Sequence, residues 1–167
     1  MASRIEHRAT FPHGVADVLA AQSGEDALRA RLAEIGGKNA TLKDHTVTGD
    51  GVRYTLLQGV PAEKLPQAVR TIHKGDLVVQ REHTWSGSGE RYTGTIKAHV
   101  SGIPGEITAR TELTADGDGG SAQRTTGEVK VRIPFVGGKL EGFIAEQVTS
   151  LLDSEAKFTA KWLARER

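Results

Sequence analysis

Cysteine is absent from the 167 residues, which excludes disulfides and thiolate metal sites. Aromatic side chains are scarce, with four Phe, two Tyr and two Trp, so little bulk is available to fill a wide interior. An excess of one charge is missing too: 22 Lys and Arg stand against 21 Asp and Glu, whereas a nucleic-acid-binding domain would show a basic surplus. No apolar run approaches the roughly 18 residues of a membrane span. The opening MASRIEHRAT carries charges where a secretion signal has its apolar segment. These absences lead us to expect a cytoplasmic protein with no integral membrane span and no nucleic-acid partner, and to read Asn39-Ala40-Thr41 as a chance glycosylation match. The length suits one domain over 1–167.

What is present is mostly strand. Ile5, His7, Ala9 and Phe11 alternate with charged or polar neighbours, the period of a half-buried strand. After Pro12, Val15, Val18 and Leu19 form one short helical stripe, and Leu28, Leu32 and Ile35 form a second. Ser23 with Asp26 reads as a capping-box-like restart between them, and Gly36-Gly37 as the stop. From 41 to 133 the pattern is about six strands joined by turns at Asp50-Gly51, Ser86 to Gly89 and TADGDGGS, with 61–72 either a short helix or an irregular crossover. A long helix from about 136 to 165 closes the chain. Its apolar face reads Leu140, Ile144, Val148, Leu151, Leu152, Phe158 and Trp162. The fold class expected is α+β: a seven-stranded antiparallel sheet, two short helices after the first strand, and a long C-terminal helix.

The glycine-rich stretch IPFVGGKLEG at 133–142 has the parts of a phosphate loop but fails its requirements. Ile133 stands where a P-loop needs its first Gly, and Leu140 stands where the magnesium-binding hydroxyl belongs. The spacing of Gly137, Gly138 and Gly142 does not match a dinucleotide fingerprint either. We read the stretch as a hinge whose Gly137 and Gly138 set how closely the last helix lies on the sheet. DGDGGS from Asp116 lacks the later ligands of a calcium loop and reads as a hairpin tip. The histidines (His7, His13, His45, His73, His83 and His99) show no metal-ligand spacing, and no nucleophile elbow occurs. We therefore expect no metal, no cofactor and no motif-borne catalytic residue.

Seven strands about 4.8 Å apart make a sheet some 33 Å wide, while a helix is only about 10 Å thick. A curved sheet around one helix leaves a gap, to be filled by large side chains or by a ligand. The inward positions Gly94, Ala98, Ala109 and Gly127 are small; either they leave room, or the glycines mark bends and close approaches. Arg81, His83 and Trp85 share a face with Leu77 and Val79, and His7 shares one with Phe11. Pointing inward, they would set a few polar anchors in an apolar pocket; the opposite register would put Val78 inside instead. The candidate cavity-lining residues are His7, Phe11, Tyr54, Arg81, His83, Trp85, Tyr92, Ile96, Ile107, Val129, Ile144, Val148 and Leu151. The segments Ser101 to Gly105 and 61–75 are candidate covers for a pocket mouth.

The order of elements and the stretch IPFVGGKLEGFIAEQV resemble the START and birch-pollen-allergen helix-grip superfamily (SRPBCC) over the whole chain. Within it, HRATFPHGVADVLA, LVVQREHTW, GEVKVRIPFVGGKLE and EAKFTAKWL are similar to bacterial domain-of-unknown-function family 2505. The resemblance implies a helix-grip fold with a cavity for a hydrophobic small molecule or lipid, and a role in binding or carriage without catalysis. The alternative is a polyketide cyclase-like or dehydratase-like enzyme, for which His7, Arg81 and His83 are the candidate acid/base groups. No catalytic motif is common to the superfamily, so no catalytic residue is carried over.

Overall fold

The computed structural model describes residues 3–36, 38–65, 67, 70 and 74–165. In chain order the elements are β1 (Ser3–Phe11), α1 (Val15–Ser23), α2 (Glu25–Ile35), β2 (Lys38–Val47), β3 (Gly51–Val60), a 3-10 turn (Ala62–Lys64), β4 (Leu77–Ser88), β5 (Arg91–Val100), β6 (Ile103–Ala115), β7 (Ser121–Val131) and α3 (Gly137–Arg165). The strands form one antiparallel sheet in the order β1-β7-β6-β5-β4-β3-β2. Six of them run as successive hairpins, and β1 closes the far side by pairing with β7. Of the uncertain segment 61–72, the 3-10 turn is described; 66, 68, 69 and 71–73, His73 among them, lie outside the described residues.

Period-2 alternation sets the inner face. On β4, Leu77, Arg81, His83 and Trp85 are buried while Val78 is exposed, so the register with Arg81 and His83 inside is the one adopted. Ala98 on β5, Ile107, Thr111 and Leu113 on β6, and Thr125, Val129 and Val131 on β7 are buried on the same face. Trp85 lies opposite Gly94, and a Cβ at Gly94 would sit 3.0 Å from the indole ring. The indole therefore covers this glycine. A Cβ at Gly127 would come within 2.7 Å of the Ala109 Cβ, so the absent side chain lets β7 approach β6 closely. Neither glycine leaves open space. The small inward residues that do are Ala98 and Ala109.

Helices α1 and α2 meet at Gly24, which is the N-cap of α2, and no side chain caps either helix. Ser23 is the last residue of α1; its hydroxyl donates to the Leu19 carbonyl instead of capping α2 as its spacing with Asp26 suggested. The hinge into α3 uses one of its glycines for space: a Cβ at Gly137 would lie 2.9 Å from the Val131 carbonyl oxygen, whereas Gly138 and Gly142 have nothing within 4 Å. The expectation that both Gly137 and Gly138 set the helix position is thus corrected to Gly137 alone. Glu141, one turn on, is buried and accepts the Val131 backbone N–H at 2.8 Å. That bond ties the start of α3 to the end of β7 and satisfies a donor at the strand's end.

Two apolar cores form, one at each end of α3. Phe11, Val18, Leu28, Leu56, Trp85, Leu113 and Leu163 anchor the first, under α1 and α2. Ile5, Leu77, Ile103, Ile107, Val129 and Leu140 anchor the second. Helix α3 packs mainly on β1 and β7, with α1 and α2 against its C-terminal half. Its middle is not sealed: Phe143, Ile144, Val148, Leu151 and Leu152 are only partly buried. No described helix is long and apolar enough to cross a membrane.

Candidate functional site

Between the middle of α3 and strands β3 to β6 lies a cavity of about 360 Å³. Its sheet wall is aliphatic, with Val79, Ile96, Ala98, Val100, Ile107 and Ala109; its helix wall carries Phe143, Ile144, Val148, Leu151 and Leu152. The volume falls at the lower end of small-molecule pockets, about 300–1,000 Å³. The cavity exists because α3 lies toward one side of the sheet, and the alanines at 98 and 109 do not reach across to it. Pro61 and Leu65 line it from the 61–75 segment, as do Ile35 and Gly36 at the end of α2. Ser101 to Gly105 does not cover it: Ser101 and Gly102 form the β5–β6 turn, and Ile103 is buried in the second core.

A second, smaller and polar pocket of about 40 Å³ adjoins the first, and Arg81, Ile96, Thr125 and Leu152 line both. Titratable side chains from five elements converge on it: His7 from β1, Arg31 from α2, Tyr54 from β3, Arg81 and His83 from β4, and Glu155 from α3. Arg81 donates to both Glu155 oxygens, at 2.8 and 3.2 Å, and to the Gln58 side-chain oxygen at 2.9 Å. Arg31 Nη2 stands 3.6 Å from Glu155 Oε2, too far for a hydrogen bond. Tyr54 stacks on His83 with ring centroids 4.8 Å apart and accepts the Trp85 indole N–H at 3.3 Å. Thr111 and Thr125 pair their hydroxyls at 3.0 Å.

Three charged groups are thus buried together. Burial opposes ionisation of Glu155, but the Arg31 and Arg81 charges and the Arg81 hydrogen bonds outweigh it, and the carboxyl is held at about 2. The Arg81 guanidinium is in turn held charged by Glu155 despite its burial. Burial, with Arg81 and Arg31 nearby, keeps the His83 pKa well below that of a free imidazole, so it is neutral at pH 7. Burial raises the Tyr54 phenol. Two buried polar atoms here, Arg31 Nη2 and His83 Nε2, make no hydrogen bond. Among the described residues no group of three or more His, Asp and Glu side chains is placed to hold a metal ion.

The candidates named from sequence divide by place. Arg81, Ile96, Ile107, Ile144, Val148 and Leu151 line the apolar cavity. His7, Tyr54, His83 and Trp85 line the polar pocket. Phe11 and Tyr92 lie in the first core, where they pack under the helices instead of facing either space. Val129 is filled over by the second core and reaches neither. Arg31 and Glu155 were missed. Each carried a signal, since each interrupts an apolar helical stripe at a core position: Leu28-Arg31-Leu32 in α2, and Leu151-Glu155-Phe158 in α3.

The family model described as "Protein of unknown function (DUF2505)" matches residues 6–163. The chain belongs to that family. A relative of the DUF2505 chain by sequence is the uncharacterized protein Rv0481c of Mycobacterium tuberculosis, 34% identical over 162 residues, covering 93% of each chain. In three dimensions the chain is similar to TTHA0849 from Thermus thermophilus, with a TM-score of 0.66, 12% identity, and coverage of 98% of this chain and 99% of that one. It is also similar to norcoclaurine synthase from Thalictrum flavum, solved in complex with dopamine and hydroxybenzaldehyde, with a TM-score of 0.54, 12% identity, and coverage of 100% and 89%. The DUF2505 chain therefore has the START and birch-pollen-allergen-like helix-grip fold.

Proposed function

We propose that the protein binds or carries a hydrophobic small molecule or lipid, without chemistry, in the cavity between the sheet and α3. The observation that carries this reading is the aliphatic cavity of about 360 Å³ between the sheet and α3. A stretch of helix whose apolar face looks into space gives up dispersion contacts that a filled interior would keep, and an apolar ligand restores them. The fold supports the reading in kind, since helix-grip proteins include ligand binders and cyclase-like enzymes; it does not name a ligand. The cavity suits a single chain or one small ring system better than a two-chain lipid.

The test is native mass spectrometry of the protein purified from its own cells, with extraction and identification of what co-purifies. We expect one apolar small molecule per chain, unchanged on incubation; repeated isolation of protein with no such ligand would contradict the reading. A cyclase-like or dehydratase-like activity is the second reading. One observation favours it: His83 lines the polar pocket as a neutral imidazole whose Nε2 makes no hydrogen bond, and a general base needs a nitrogen free to take a proton. In the same experiment it would show as a ligand whose mass changes on incubation.

A further inference from the structure

The polar pocket at the inner end of the cavity is out of electrostatic balance. Arg31 and Arg81 are both buried to about 6% exposure, and one carboxylate, Glu155, stands between them. Arginine does not deprotonate in proteins. The other titratable groups lining the pocket do not supply the missing charge: Tyr54 and His83 are neutral at pH 7, and an imidazole, the side chain of His7, is not an anion in any of its forms. One positive charge is therefore left over in the interior. The hydrogen bonding is unbalanced in the same place. Arg81 is engaged through both terminal nitrogens by Glu155 and Gln58, while Nη2 of Arg31 and Nε2 of His83 are buried without a partner. Leaving such groups unpaired is costly, and both belong to the pocket that shares four residues with the aliphatic cavity.

We infer that this pocket is the headgroup end of the site and that the ligand is a single-chain aliphatic monocarboxylate. Its carboxylate is held by Arg31, with His83 as the second donor, and its chain lies along the cavity against α3. The inference rests on the carrier reading and narrows it. Size favours a compact headgroup, since the polar pocket is about 40 Å³ against about 360 Å³ for the cavity it adjoins. A carboxylate is compact and planar, and its two acceptor oxygens match the two unpartnered atoms of Arg31 and His83. Charge selects an anion over an alcohol or ester, because a neutral headgroup leaves Arg31 uncompensated. The aliphatic walls, which offer Phe143 as their aromatic member, select a chain over a stacked ring.

The test compares decanoate, 1-decanol and methyl decanoate by isothermal titration calorimetry on the full chain at about pH 7.5, where a carboxylic acid is ionised. We expect decanoate to bind at least about tenfold more tightly than either neutral probe, the scale of one charge-assisted hydrogen bond. Arg31→Met should abolish that preference. If decanol binds as well as decanoate to the wild type, the headgroup inference is overturned while the carrier reading stands. A preference that survives in a folded Arg31→Met protein overturns the role given to Arg31. If none of the three probes binds, the carrier reading falls and this inference with it. Should Arg31→Met not fold, the comparison of acid with alcohol on the wild type still decides.

Discussion

His83 and Glu155 are the residues on which acid stability turns. Glu155 is ionised well below its ordinary value of 4.5, at about 2, so its contribution is complete above pH 4.5 and is lost as pH falls towards 2. By linkage that contribution is on the order of 3 kcal/mol. His83 acts in a different window. Its folded pKa lies well below the ordinary 6.5, so the unfolded chain takes up a proton first as pH drops below about 6.5, and the native state weakens from there. We therefore predict two acid limbs in thermal denaturation: a shallow loss of Tm as pH falls below about 6.5, and a steeper one below about 4.5, where Glu155 adds to it. His83→Gln should flatten the first limb and leave the second. An unchanged first limb would mean that His83 titrates normally. That His83 and Arg81 share a face with Leu77 and Val79 was readable from alternation; which of the two faces points inward was not. Arg31 and Glu155 were not read, because a charged residue on a helix is assigned to solvent unless its burial partner on another element is known.

At the scale of elements, the β7–α3 hinge shows what the glycines of a turn are for. Gly137 needs its missing Cβ because the Val131 carbonyl oxygen occupies that space, and Gly138 and Gly142 do not. Gly137→Ala should destabilise the fold by about 1 kcal/mol or more, as overpacking does. Gly142→Ala, inside α3, should stabilise it by about 1 kcal/mol through helix propensity, and Gly138→Ala should act in the same direction but less, being in the first turn. Denaturant titration of the three variants checks the order; equal effects at 137 and 142 would contradict it. The strands, the two short helices and the length of α3 were legible because periods of 2 and 3.6 are properties of a local stretch. The fate of Gly94 and Gly127 was not, since it depends on Trp85 and Ala109 arriving from neighbouring strands. The same limit applies to Phe11, Tyr92 and Val129: alternation placed them on the inner face, but only packing decides whether an inner face meets a core or a cavity.

Taken as a whole molecule, the described residues form two apolar cores with an unsealed middle, spanned by one helix that the alanines at 98 and 109 do not reach. Few aromatics and the inward alanines at 98 and 109 pointed to a gap, and its position followed only from where α3 lies on the sheet. The central claim is that this space takes an apolar ligand. Calorimetric titration of 1-decanol into the wild type and into Ala98→Leu/Ala109→Leu tests it most directly, since both alanines line the cavity and circular dichroism reports whether the fold is kept. One-to-one binding to the wild type and none to the folded, cavity-filled variant is the predicted result; equal binding to both, or to neither, would contradict it.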